Sequence, residues 1–165
     1  MKNHTDTIRD TMFTYFSGDI RRINHFLKVT AFAMHIGRLE GLSAEALEIL
    51  ELTALVHDCG IKNSELKYHS SAGTYQQIEG PPVVREMFAR CGISETITER
   101  VAFIVGHHHT YSAINGKDFQ ILVEADFLVN IDEDAMEQAA IESVLQKIFV
   151  TETGKRTLKQ LYMNV

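Results

Sequence analysis

The sequence predicts an all-α fold, a single compact multi-helix domain of about seven or eight helices. Three observations carry this. Apolar residues recur at three- and four-residue spacing along most of the chain, the period of a helix with one buried face. Alternating β-branched runs between turn dipeptides, the mark of strands, are nearly absent. Only 2 prolines occur in 165 residues, which suits long helical runs because proline has no backbone N–H to donate.

The elements follow in order. Residues 4–17 carry Ile8, Met12, Phe13 and Phe16 at helical spacing. Asp19 is an N-cap for a second helix over residues 20–40, with Ile23, Phe26, Leu27, Ala31, Met34 and Leu39 on one broad face and Gly41 as its stop. Ser43 caps a third helix, with Glu45 in its first turn, that carries Leu47, Leu50, Leu55 and Val56 and runs into His57-Asp58. The stretch from Gly60 to Gly80 reads as a long, site-lining loop, because Asn63, Ser64, Ser70, Ser71 and Gly73 break any pattern.

Pro81-Pro82 then opens a short helix to residue 90. Ser94 caps a helix with Ile97, Val101, Ile104 and Val105 inside, which ends in His107-His108-His109. After a turn at Asn115-Gly116, residues 118–130 are apolar nearly all round and read as a buried helix, with a strand as the alternative that pattern leaves open. Asp132-Glu133-Asp134 reads as an acidic break. Residues 135–148 and 153–163 are the last helices, expected to pack on a core formed by residues 20–130.

Composition narrows the function classes. The chain is 45% hydrophobic and 23% charged, with a net charge of -6. Such a chain is poorly suited to clamping a nucleic-acid backbone, which needs clustered Lys and Arg. Its 2 cysteines, Cys59 and Cys91, form no Cys-x-x-Cys. That argues against a disulfide framework or a zinc ribbon and fits a cytoplasmic setting. No apolar stretch is long enough for a bilayer, and no secretory leader is visible.

The chemistry lies where polar residues interrupt apolar helices. His25, His57, Asp58 and Asp126 each sit in such a segment. A buried carboxylate needs a partner. One ion touched by three helices would supply it, and imidazole and carboxylate suit Zn, Fe, Mn, Ni or Co. Taken singly, each residue has a plainer reading: His25 as a hydrogen-bonded core histidine, Asp126 as an acceptor for a helix N-terminus, the His triplet as a solvated helix end. The case for a site is the conjunction and its order along the chain.

In that order the residues resemble the HD-domain superfamily of metal-dependent phosphohydrolases. Arg22-Ile23-Asn24-His25 is similar to its first element. Ala54-Leu55-Val56-His57-Asp58-Cys59-Gly60 is similar to its signature pair, and Glu124-Ala125-Asp126-Phe127-Leu128 to its closing aspartate. The likeness covers roughly residues 20–130.

The resemblance implies that His25, His57, Asp58 and Asp126 hold a divalent transition metal. Where members bind two ions, His69 and two of His107, His108 and His109 resemble the extra ligands. The pair His108 and His109 follows if Val101, Ile104 and Val105 mark the inner face; His107 and His108 is the other register. Glu79, in Gln77-Ile78-Glu79-Gly80-Pro81, departs from the general pattern and is a candidate ligand or base. Asp58 is the candidate for activating a water. Lys62, Lys67 and Arg85 flank the expected mouth and are candidates for binding phosphate.

The implied activity is hydrolysis of a phosphate ester or anhydride in a small molecule, a nucleotide first. Membrane and nucleic acid are not expected as partners; a homo-oligomer is possible. The rival readings are a two-iron oxygenase on the same scaffold, which would recruit His69, the His cluster and Glu79, and a non-catalytic regulatory domain that binds a nucleotide.

Overall fold

A computed structural model describes residues 4–164. Among the described residues every regular element is helical: α1 (His4–Tyr15), α2 (Ile20–Leu39), α3 (Ala44–Val56), α4 (Ile61–Tyr68), α5 (Gly73–Cys91), α6 (Glu95–Val105), α7 (Lys117–Glu133), α8 (Gln138–Lys147) and α9 (Glu152–Tyr162), with a 3-10 turn at Tyr111–Ala113. None of these helices is long and apolar enough to cross a membrane.

The helix α3 sits at the centre, against α1, α2, α6 and α7. Its sequence explains this. Leu50 and Ala54 enter one apolar cluster, with Val29, Ile36, Ile104, Phe119 and Leu122. Leu52, Leu55 and Val56 enter a second, with Ile8, Met12, Phe26, Phe88 and Val101. A helix covered on both sides must be apolar nearly all round. Each of its fully buried leucines contributes ~1.5–3 kcal/mol relative to exposure. Ser43 starts α3 by accepting from the Ala46 N–H, and His57 ends it. The helix α7 is the second buried rod, packed on α2, α3 and α9.

Three expectations are corrected. The stretch over residues 60–80 is not a loop: α4 and the first half of α5 occupy it. The helix α4 is mostly exposed, and the first half of α5 buries Gln76, Glu79 and Gly80 rather than apolar side chains, so both carry a weak periodic signal. Their approach depends on glycine, because a Cβ on Gly60 would lie 2.4 Å from the Gln76 carbonyl oxygen. Pro81 and Pro82 lie inside α5 rather than opening it. Finally, α7 runs through residue 132 to Glu133, so the break falls at Asp134, the last member of the acidic triplet, rather than at its start. On the predicted inner faces, Phe13 and Leu39 are exposed, as is Ala31.

Candidate metal centre

Four side chains from three regions converge at the C-terminal end of α3. The Nε2 atoms of His25 and His57 are 3.2 Å apart. Asp58 Oδ2 is 3.3 Å from each of them. Asp126 Oδ1 is 3.2 Å from His25 Nε2 and 3.5 Å from His57 Nε2. These are the edges of a coordination polyhedron, since ligands at ~2.0–2.2 Å around one ion lie ~3.0–3.5 Å from each other.

The backbone dictates which nitrogen faces the centre. His57 Nδ1 is 2.8 Å from the Ala54 carbonyl, and His108 Nδ1 is 2.9 Å from the Val105 carbonyl. A carbonyl only accepts, so both Nδ1 atoms carry the hydrogen. These carbonyls belong to the last turns of α3 and α6, where a helix leaves acceptors unmatched. An apolar run ending in histidine therefore caps its own helix and turns an Nε2 lone pair inward. Both helix C-termini also bring negative partial charge to a cation.

His108 joins a second group. Asp58, His108 and His109 offer ligand atoms all within 4.8 Å of one another. His108 Nε2 is buried without a hydrogen-bond partner among the described residues, and Asp58 Oδ1 lies 3.5 Å from it. Asp58 thus turns one oxygen to each group. An orphaned buried nitrogen is costly, and a bound cation would satisfy it. The donor set fits a divalent transition ion at the first group and offers three ligands to a second.

Charge tells the same story. Burial opposes a charge on His25, yet the carboxylates of Asp126 and Asp58 override it and hold its pKa up at about 10. His57 is likewise raised well above the ordinary imidazole value, against burial, by Asp58 and then Asp126. Asp58 and Asp126 are correspondingly depressed, despite burial, by the histidines. The cluster is built to draw in positive charge. His109, half-buried and beside His108, is pushed down to about 4 by desolvation and the neighbouring imidazole and so offers a neutral ring.

The sequence candidates divide. His25, His57, Asp58 and Asp126 come together, as do His108 and His109 beside Asp58. His107 turns away, stacking on Phe103. His69 is exposed, ends α4 in a left-handed conformation with φ 53° and belongs to neither group. Glu79 is held by Lys67 Nζ at 2.7 Å and Tyr68 hydroxyl at 3.1 Å, not by the cluster. Lys62 donates to the Tyr15 carbonyl and Arg85 pairs with Glu99.

With Lys67 on Glu79, none of these three bases lines the cavity of about 450 Å³ that opens over His25 and Asp58. The cations of that cavity are Arg21 and Arg22. Sequence reasoning also passed over three supporting residues. Asn130 donates to Asp126 Oδ1 at 3.0 Å. Gln76 lies 3.3 Å from His109 Nε2. Glu133 lies 2.8 Å from His25 Nδ1. Asp126, Asn130 and Glu133 recur at i, i+4 and i+7 on an apolar helix, a polar stripe that could have been read.

Comparison with known proteins bears on the family and the fold. The model of the HD domain family matches residues 22–149. A crystal structure of a predicted HD superfamily hydrolase from an uncultured Thermotogales bacterium superposes with a TM-score of 0.64 at 20% identity, covering 96% of this chain and 83% of that one. At that identity the likeness is one of fold. No curated protein matches the chain.

Proposed function

The chain belongs to the HD-domain family, and from its site we propose that it is a metal-dependent phosphohydrolase acting on a small phosphorylated molecule, a nucleotide first. One observation carries this reading: Asp58 turns its two oxygens to two histidine groups on the wall of a cavity that also holds Arg21 and Arg22. His25, His57, Asp58 and Asp126 would hold the first ion, and His108 and His109 with Asp58 a second. A divalent ion there supplies a water of lowered pKa and polarises a phosphoryl oxygen.

The chain's own residues do the rest. Asp58, with one oxygen turned to each group, would orient that water. Arg21 and Arg22 face the incoming phosphate, which guanidinium groups bind through paired N–H donors. Arg22 now pairs with Asp19 and Glu65, so phosphate would exchange with those carboxylates. Both cysteines are free, which supports a reducing, cytoplasmic setting. A two-iron oxygenase would draw on His69, the His cluster and Glu79; of these His108 and His109 stand beside Asp58, while His69 and Glu79 lie outside both groups.

The test is metal analysis of the purified protein with a phosphomonoester and nucleotide panel supplemented with Mn, Co or Ni. Metal binding and phosphate release are expected from the native chain and neither from His57→Ala, while Asp58→Ala loses turnover. A native chain that binds no metal, or binds it and releases phosphate from nothing on the panel, overturns the reading.

A further inference from the structure

Three of the histidines in the two ligand groups are not held alike. His57 and His108 give their Nδ1–H to backbone carbonyls, which are neutral and fixed by their helices. His25 instead lies with Nδ1 2.8 Å from Glu133 Oε2. The other oxygen, Oε1, is 2.7 Å from Lys28 Nζ. Glu133 ends α7, two turns beyond Asp126, and reaches across to α2, which carries both His25 and Lys28. It also lines the cavity beside the cluster.

A charged acceptor does what a carbonyl cannot. It holds the ring in the Nδ1–H tautomer, and it also raises the electron density at Nε2, making the imidazole a stronger ligand. It adds a negative charge behind the ligand as well. Asp58 and Asp126 already match the charge of a divalent ion, and Glu133 would exceed it if Lys28 did not offset it. We infer that Glu133 is a positioning residue that sets the cation affinity of the site through His25, and that Lys28 moderates it from the surface. This rests on the metal-site reading above.

Nothing in the acidic triplet Asp132-Glu133-Asp134 marks Glu133 by type. Its neighbours Asp132 and Asp134 are exposed, whereas its own side chain is 16% exposed.

The experiment titrates the metal-free full chain with Co2+ and Mn2+ by calorimetry and records the visible absorption of the Co2+ form. Glu133→Ala is expected to weaken binding ~10–100-fold, the scale of removing a ligand's outer partner, and to shift the Co2+ bands. Glu133→Gln keeps an acceptor without the charge and should fall between. Lys28→Met removes a cation and should bind at least as tightly as the native chain. The metal-free melting temperature of each variant separates loss of fold from loss of affinity.

Glu133→Ala binding Co2+ like the native chain, while His57→Ala does not, overturns this inference and leaves the site reading intact. Lys28→Met weakening binding as far as Glu133→Ala would also overturn it, since the pair would then merely brace the two helices. A native chain that binds neither ion removes both inference and site.

Discussion

His25 and His57 present their Nε2 atoms to each other at 3.2 Å while both Nδ1 atoms are already committed, to Glu133 and to the Ala54 carbonyl. Neutral rings in these tautomers aim lone pairs at one another. Two carboxylates crowd the same point. Only positive charge makes this arrangement favourable, whether a proton on a ring or an ion shared by all four groups. A proton serves one pair of atoms at a time; an ion serves every edge.

Removing one corner should therefore empty the centre. His57→Ala and, with shape preserved, Asp126→Asn are expected to weaken Mn2+ or Co2+ binding by more than the ~10–100-fold typical of residues one layer out. Calorimetric titration reads this directly. Near-native affinity in both variants would mean that the four groups are a hydrogen-bonded core and nothing more.

The ion should also stabilise the fold, because the ligands come from α2, α7 and the end of α3, and the unfolded chain cannot assemble them. At 100 times Kd the gain is ~2.7 kcal/mol, or ~5–10 °C in Tm for a domain of this size. Thermal scans with metal and with chelator are expected to differ by that amount in the native chain and not at all in His57→Ala. Identical native curves would contradict ligation by three separate elements.

The histidines outside α2 and α3 can be ranked by the same measurement. His69→Ala and Glu79→Ala are expected to keep the native metal stoichiometry, since an exposed ring and a carboxylate tied to Lys67 give up no ligand. His108→Ala is expected to lower it. Stoichiometry falling in His69→Ala but not in His108→Ala would reverse the assignment.

The legible and illegible parts of this molecule differ for physical reasons. The buried helices α2, α3 and α7 had to be apolar, so a polar residue inside one was conspicuous, and His25, His57, Asp58 and Asp126 were found. The helices α4 and α5 bury Ile61, Ser64, Gln76 and Gly80, residues with no helical signature, so they read as loop. That error placed Lys62, Lys67 and Arg85 at the mouth and left out Arg21 and Arg22. Glu133 sits in an acidic run that looks the same whether one member turns inward or none does, and only its spacing from Asp126 and Asn130 sets it apart.

Glu124 shows how far two neighbouring acids can diverge. It is fully buried and faces away from the cluster, accepting from the backbone N–H groups of Val150 and Thr151 at 2.7 and 2.9 Å and from the Thr151 hydroxyl at 2.5 Å. It anchors the start of α9 to α7. Glu124→Ala would orphan these donors, and leaving them unpaired is expected to cost ~3–5 kcal/mol. Urea denaturation of the metal-free protein checks it; a loss below ~1 kcal/mol would show that water replaces the carboxylate.

Gly73 provides the sharpest separation of the two ligand groups. It opens α5, and a Cβ there would lie 2.8 Å from Cγ and Cδ2 of the His109 ring. Its backbone is not in the left-handed region, so Gly73→Ala carries no conformational penalty and slightly favours the helix. The strain falls on His109, whose backbone N–H is held by Gln77 and whose ring meets Gln76. The ring must move near its root, where rotation gives little relief. A second ion bound by Asp58, His108 and His109 should then weaken ~10–100-fold, while the first, held by His25, His57, Asp58 and Asp126, keeps its affinity. A two-phase Mn2+ titration of Gly73→Ala should lose only its weaker phase. Loss of both phases together would mean that the ions bind as one unit through Asp58.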